Sequence, residues 1–180
     1  MFINILIGLA AVAVVFVIVV AMRPADFRVT RAAAISAPPA FVFAQVNDLH
    51  KWEAWSPWEK IDPALKRTFE GPAAGPGASY RWVGNNKVGE GCMTITESRP
   101  DEFIRFKLEF LKPFKASNVA EFTFKPEGNQ TVVTWSMAGK NNFMFKAVGL
   151  FMNCDQMIGG DFEKGLAQMK SVAETANKSG

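Results

Sequence analysis

The sequence holds a single histidine, His50, and two cysteines, Cys92 and Cys154. A Ser-His-Asp or Cys-His mechanism would therefore have to run through His50, and no partner for it stands at a diagnostic spacing. His50 reads instead as a polar residue at the surface or at a helix end. So few histidines and cysteines also exclude zinc fingers, histidine-rich metal clusters and a disulfide-dense secreted scaffold, and no metal or cofactor is expected. Both cysteines read as buried, inert thiols, since free cysteine behaves as a small core hydrophobe. The stretch Gly71-Pro72-Ala73-Ala74-Gly75-Pro76-Gly77 lacks the Gly-Lys-Ser/Thr ending that a phosphate-binding loop requires, which removes a nucleotide reading. Glu90, Glu97 and Glu121 fall on the outward phases of their strands, where solvated charge explains them, so no inward acid–base pair emerges. A formal charge of +3, dispersed along the chain, is no nucleic-acid footprint.

The residues suited to binding rather than reaction are apolar, and the elements that position them follow from periodicity. Ile104, Phe106, Leu108 and Phe110 alternate with Arg105, Lys107 and Glu109, the pattern of a half-buried antiparallel strand over 103–111. Residues 119–125 set Ala120, Phe122 and Phe124 on one face, and after the Glu127-Gly128-Asn129 turn, 131–137 directs Val133, Trp135 and Met137 inward. Two further strands, 78–83 and 88–97, flank a hairpin signal at Gly84-Asn85-Asn86-Lys87. Short strands are also predicted over 66–70 and within 26–36. A short helix follows Ala37-Pro38-Pro39, because proline is tolerated in a first turn whose N–H groups are unpaired.

A helical region spans about 142–177, with a break expected at Gly159-Gly160. Beyond it Phe162, Leu166, Met169, Val172 and Ala173 form an amphipathic stripe able to cover the sheet. Trp82, Met93, Ile95, Phe106, Leu108, Phe122, Phe124, Trp135, Met137 and Phe162 are thus candidates to line a cavity. Each alone reads as core, but an aromatic and apolar set of this kind also suits a hydrophobic ligand. Trp52, Trp55 and Trp58 could form a cavity wall, a protein-binding hot spot or a membrane-interface belt, and packing against the sheet rim is the leading expectation. Residues 143–152 are too apolar for an exposed connector and read either as helical turns buried on the sheet or as a gate. Phe143, Phe145, Phe151, Gly159 and Gly160 are its candidate parts, since consecutive glycines weaken a helix.

Half of the chain's residues are apolar (49%), and the excess lies at the N-terminus. Phe2 to Met22 are uncharged, and as a helix they would be about 31 Å long, the thickness of a bilayer's hydrocarbon core. No Lys or Arg precedes the span and Ala21-Met22-Arg23 fits a cleavage site poorly, so residues 1–23 read as a retained transmembrane anchor. Arg23, Arg28 and Arg31 follow it, and the positive-inside bias places residues 24–180, one domain, in the cytoplasm.

A curved antiparallel sheet wrapped around a long C-terminal helix is the helix-grip arrangement of the α+β class. The chain resembles the SRPBCC superfamily of START-like, birch-pollen-allergen-like and polyketide-cyclase-like proteins over most of 26–175. The resemblance is carried by Ala37-Pro38-Pro39-Ala40-Phe41-Val42-Phe43, Trp52-Glu53-Ala54-Trp55-Ser56-Pro57-Trp58, Glu70-Gly71-Pro72 with Gly75 and Gly77, Tyr80-Arg81-Trp82-Val83-Gly84-Asn85, Val88-Gly89-Glu90-Gly91 and Phe162-Glu163-Lys164-Gly165-Leu166, in that order. It implies an apolar cavity between sheet and helix that holds a lipid, an isoprenoid or quinone, or a polyketide-like molecule. With no inward acid–base pair, a membrane-tethered, non-enzymatic binding domain leads. A polyketide cyclase/dehydrase-type enzyme and a co-chaperone-like protein-interaction module are the alternatives.

Overall fold

The structure is a computed structural model and describes residues 2–178. Residues Phe2–Met22 form α1, a helix long and apolar enough to cross a membrane, whose only buried residue is Val20. Such a helix, apolar on every side, is exposed over most of its length, and its C-terminal end meets another element, α4 (Phe143–Val148). Pro24 follows its end, and strand β1 (Asp26–Ile35) begins directly after.

Helix α2 (Pro39–Asn47) buries Val42, Phe43 and Val46. The chain then reverses through a 3₁₀ turn at Leu49–Lys51, in which the Asp48 carboxylate accepts the His50 N–H (3.0 Å), into the single-turn helix α3 (Trp52–Trp55). A second 3₁₀ turn, Pro57–Lys60, leads to strands β2 (Lys66–Glu70), β3 (Ser79–Val83), β4 (Glu90–Arg99), β5 (Phe103–Lys112), β6 (Ala116–Glu127) and β7 (Gln130–Lys140). All pair antiparallel in the order β1-β7-β6-β5-β4-β3-β2, so the first strand closes against the last. Helix α4 (Phe143–Val148) and the long α5 (Cys154–Lys178) complete the chain, with α5 packed against β1, α2 and α3.

The alternation in β4 to β7 follows the pleat. Met93, Ile95, Ile104, Phe106, Ala120, Phe122, Phe124, Val133, Trp135 and Met137 are buried on the face that α5 covers, through Phe162, Leu166, Met169 and Ala173. On the opposite face charges alternate across strands: Arg28 pairs with Glu121, Glu121 with Arg105, and Arg105 with Glu97. These exposed pairs add little stability singly, but they fix which face is wet.

Three expectations are corrected. The helix does not break at Gly159-Gly160; α5 runs through both, and the interruption lies at 149–153. Gly159 sits under the Arg31 side chain, where a Cβ would overlap the guanidinium, so the glycine serves a close approach between α5 and β1. Trp52 and Trp55 lie at the centre of the core rather than at the sheet rim, and only Trp58 is half-buried. Residues 143–152 do not bury a helical turn on the sheet. Phe143, Met144, Val148, Phe151 and Met152 are exposed, because the concave face is already covered by α5 and the two tryptophans.

Candidate functional site

The inward face of the sheet brings the candidate cavity residues together. Trp82, Met93, Ile95, Phe106, Phe122, Phe124, Trp135, Met137 and Phe162 are buried and Leu108 is half-buried. Strand register sets them in rungs: Met93 opposite Leu108, Ile95 opposite Phe106, and Phe122 opposite Trp135. The Phe162 ring from α5 stacks on Trp135 at 4.0 Å, and Trp135 stacks in turn on Phe122 at 4.8 Å. Gly165, one turn on, allows this approach, since a Cβ there would lie 2.9 Å from the Trp135 ring.

Trp52 and Trp55 occupy the space above these rings. Trp52 meets Phe106 edge-on at 5.5 Å, and Trp55 meets Trp135 edge-on at 5.7 Å, the geometry that ring quadrupoles favour. Their burial requires partners for two indole N–H groups, and the end of α2 supplies them. Trp52 Nε1 donates to the Val46 carbonyl and Trp55 Nε1 to the Gln45 carbonyl, each at 3.0 Å. Both are last-turn carbonyls that a helix leaves unpaired, so each bond satisfies two groups at once.

Two polar atoms on the same inward face are not so provided for. Asn118 Oδ1 and Trp135 Nε1 are buried without a hydrogen-bond partner among the described residues. Asn118 reaches only the Met137 sulfur through its amide nitrogen, at 3.9 Å. Native proteins leave few buried polar atoms unpaired, so these two, with Gln168 Oε1 on α5, are exceptions among the described residues.

A further polar cluster escaped the sequence. Glu59, from the second 3₁₀ turn, has a side chain only 7% exposed and forms an ion pair with Arg67 of β2. The Tyr80 hydroxyl of β3 donates to its other oxygen at 2.8 Å. Burial, and then this bond to Glu59, raise the Tyr80 pKa well above its ordinary value, so the phenol stays protonated. Hydrogen bonding to Glu59 likewise raises the pKa of Arg67. Both Glu59 oxygens are engaged, and the cluster pins the 3₁₀ turn to β2 and β3. The signal available in the sequence was that the chain's only tyrosine lies on an inward strand phase.

His50 stacks on Phe69 at 4.0 Å and faces Asp48 at the surface, away from the aromatic interior. Cys92 is half-buried on the outward face beside Ser79, 3.2 Å away, rather than in the core; the Cys154 side chain lies outside the described residues. Among the described residues no group of three His, Cys, Asp or Glu side chains could hold a metal ion.

Of the gate candidates, Phe145 and Phe151 line a groove of about 520 Å³ with Arg23, Pro24, Lys146 and Asn153. Phe143 lies on the adjoining surface, whereas Gly159 and Gly160 are apart, within α5. A smaller groove of about 280 Å³ lies between the β3–β4 loop and Lys112-Pro113. Neither groove is lined by the ten inward residues.

Comparison with known proteins accords with this architecture. Residues 26–174 match the family model described as polyketide cyclase / dehydrase and lipid transport, and the chain belongs to that family. Its fold is similar to that of a protein of unknown function from Staphylococcus aureus (TM-score 0.62, 15% identity, 87% of this chain and 98% of that one). It is also similar to the Aha1 dimer from Colwellia psychrerythraea (TM-score 0.60, 13% identity, 82% and 96%) and to Ara h 8.0201 (TM-score 0.56, 11% identity, 83% and 99%). These likenesses establish the helix-grip fold. No curated protein matches the sequence significantly.

Proposed function

We propose that residues 24–180 bind a hydrophobic small molecule between the sheet and α5, and that residues 1–23 tether this domain to a membrane with the domain on its cytoplasmic side. The observation that carries the reading is Asn118 Oδ1, a buried polar atom without a partner among the described residues, set beside the apolar inward face of the sheet. A lipid, an isoprenoid or quinone, or a polyketide-like molecule with one polar end would satisfy Asn118 Oδ1 while burying its chain against Phe122, Met137 and Phe162. Membership of a family described by lipid transport supports the same class of ligand. Entry would displace Trp52 and Trp55, which cover the inward rings.

Native mass spectrometry of the full chain taken from its own membranes tests the binding. One apolar molecule should remain bound, and Asn118→Ala should lose a ligand that anchors its polar end there; a parent chain with no bound mass would refute the function. Protease added to intact cells tests the orientation, since a digested domain would place it outside.

A second reading rests on the Glu59–Tyr80 hydrogen bond, a carboxylate and a protonated phenol at the edge of the interior. It makes the domain a cyclase/dehydrase-type enzyme with Tyr80 as proton donor. Tyr80→Phe would then abolish turnover of a polyketide-like substrate while leaving its binding in place, and unchanged turnover would remove this reading.

A further inference from the structure

The exposed apolar residues of α4 and its connector are not scattered. Phe143, Met144, Val148, Phe151 and Met152 fall within ten consecutive positions, and Phe151 is 80% exposed. Phe114, in the turn between β5 and β6, joins them through an edge-on contact with Phe145 at 5.8 Å, and it too is exposed. Single exposed apolar residues need no explanation, but a grouped set on a domain surface marks an interaction site.

The place of this patch is fixed by hydrogen bonds to the end of α1. Arg23 donates to the Gly149 carbonyl at 3.2 Å, and Lys146 Nζ donates to the Ala21 carbonyl at 3.4 Å. Sheet topology agrees. β1 begins, β7 ends, β5 ends and β6 begins at one end of the sheet, which therefore carries the α1 exit, α4 and the β5–β6 turn together. The charges there are mostly positive. Arg23 and Lys146 line the groove of about 520 Å³, in which Asp26 is the one carboxylate, and Lys112 and Lys115 flank Phe114, with Lys112 also paired to Glu90.

We infer that this end of the domain is seated in the interfacial layer of the membrane that holds α1. Phe114, Met144, Phe151 and Met152 would reach the acyl-chain boundary, with Arg23, Lys115 and Lys146 at the level of anionic phospholipid headgroups. The inference rests on reading α1 as a bilayer span. A span that leaves the hydrocarbon near Met22 puts everything bonded to Ala21 and Arg23 at headgroup depth, and an apolar surface rimmed by cations is what that layer accommodates. A bilayer is therefore the occupant that position and charge both select. The seating holds α4 and the 149–153 segment against the lipid from which a hydrophobic ligand would come.

The test uses the full chain with Cys92→Ser and Cys154→Ser, carrying a nitroxide at Phe151→Cys or, as a control at the opposite end of the sheet, at Glu127→Cys. Each is reconstituted in vesicles of phosphatidylcholine alone and of an equal mixture with phosphatidylglycerol. Collision with oxygen and with a water-soluble nickel chelate then reports depth. Seating predicts that position 151 is several-fold more open to oxygen relative to the chelate than position 127. It also predicts that the difference grows with phosphatidylglycerol and shrinks in Lys115→Glu/Lys146→Glu. Equal chelate access at 151 and 127 in both vesicles overturns the seating, and shielding indifferent to phosphatidylglycerol overturns the headgroup contact. Alkaline carbonate extraction separates this from the span: a retained chain with 151 exposed loses the seating alone, whereas an extractable chain with 151 shielded loses the span alone.

Discussion

The Trp135 indole and the Phe162 ring lie parallel, 4.0 Å apart with 7° between their planes, and this stack joins α5 to the sheet. Both rings are buried, and Trp58 closes over them edge-on, 5.7 Å from Trp135 and 6.5 Å from Phe162. Removing Phe162 would leave a void beneath Trp58 that a helix held on both sides cannot collapse to fill. In a fragment beginning at Pro24, which should fold alone and unfold cooperatively, Phe162→Ala is expected to lose about 3–5 kcal/mol by denaturant titration. Phe122→Ala should lose a similar amount if its site is closed core. A much smaller loss would show that the Phe122 ring borders space a ligand can occupy.

The adjacent glycines of α5 should respond in opposite directions. Gly160 has open space where a Cβ would go, so Gly160→Ala gains helix propensity and should raise stability by up to about 1 kcal/mol. Gly159→Ala would instead push away the Arg31 guanidinium, which bonds Asp155 at 3.0 Å and Glu163 at 2.7 Å, and should lower it. Thermal melts of the two variants against the parent distinguish these signs. Equal shifts would mean that Arg31 moves aside freely.

Tyr80 gives the fold an alkaline limit. Its folded pKa is raised above the ordinary value of 10.0, so the stability it contributes is complete below pH 10 and is lost as pH climbs beyond it. Because it is the only tyrosine, phenolate absorbance reports its ionisation directly, and that signal should appear together with unfolding. Tyr80→Phe should flatten the alkaline limb and cost about 2 kcal/mol at neutral pH, since one Glu59 oxygen loses its donor. Phenolate absorbance rising at pH 10 in a folded chain would contradict the buried hydrogen bond.

Glu174 acts at the acid end. Its carboxylate accepts the Ser36 backbone N–H at 2.8 Å, and this bond, with Lys170 nearby, lowers its pKa against an opposing desolvation. The stability so gained is present above the ordinary carboxylate range and is lost as pH falls through the folded value. Glu174→Gln should make unfolding less steep with falling pH, as followed by circular dichroism between neutral and acid pH. An unchanged acid limb would show that the Ser36 bond does not persist in solution.

Short-range pattern was enough for the strands, the closing helix and the faces these present, though not for where the helical region is interrupted. The alternation of Ile104, Phe106 and Leu108 with Arg105 and Lys107, the stripe from Phe162 to Ala173 and the uncharged run from Phe2 to Met22 all depend on neighbours a few positions apart, and periodicity reports those directly. Which apolar segment reaches the interior is a different kind of question. The concave face has a finite area, and Trp52 and Trp55 claim it because a chain reversal sets their indole N–H groups against the free carbonyls of α2. The equally apolar residues 143–152 are thereby left at the surface, beside the end of α1. The Glu59–Arg67–Tyr80 cluster and the fit of Gly159 beneath Arg31 belong with them. Each joins residues from separate elements, so only the tertiary path of the backbone could bring them within bonding distance.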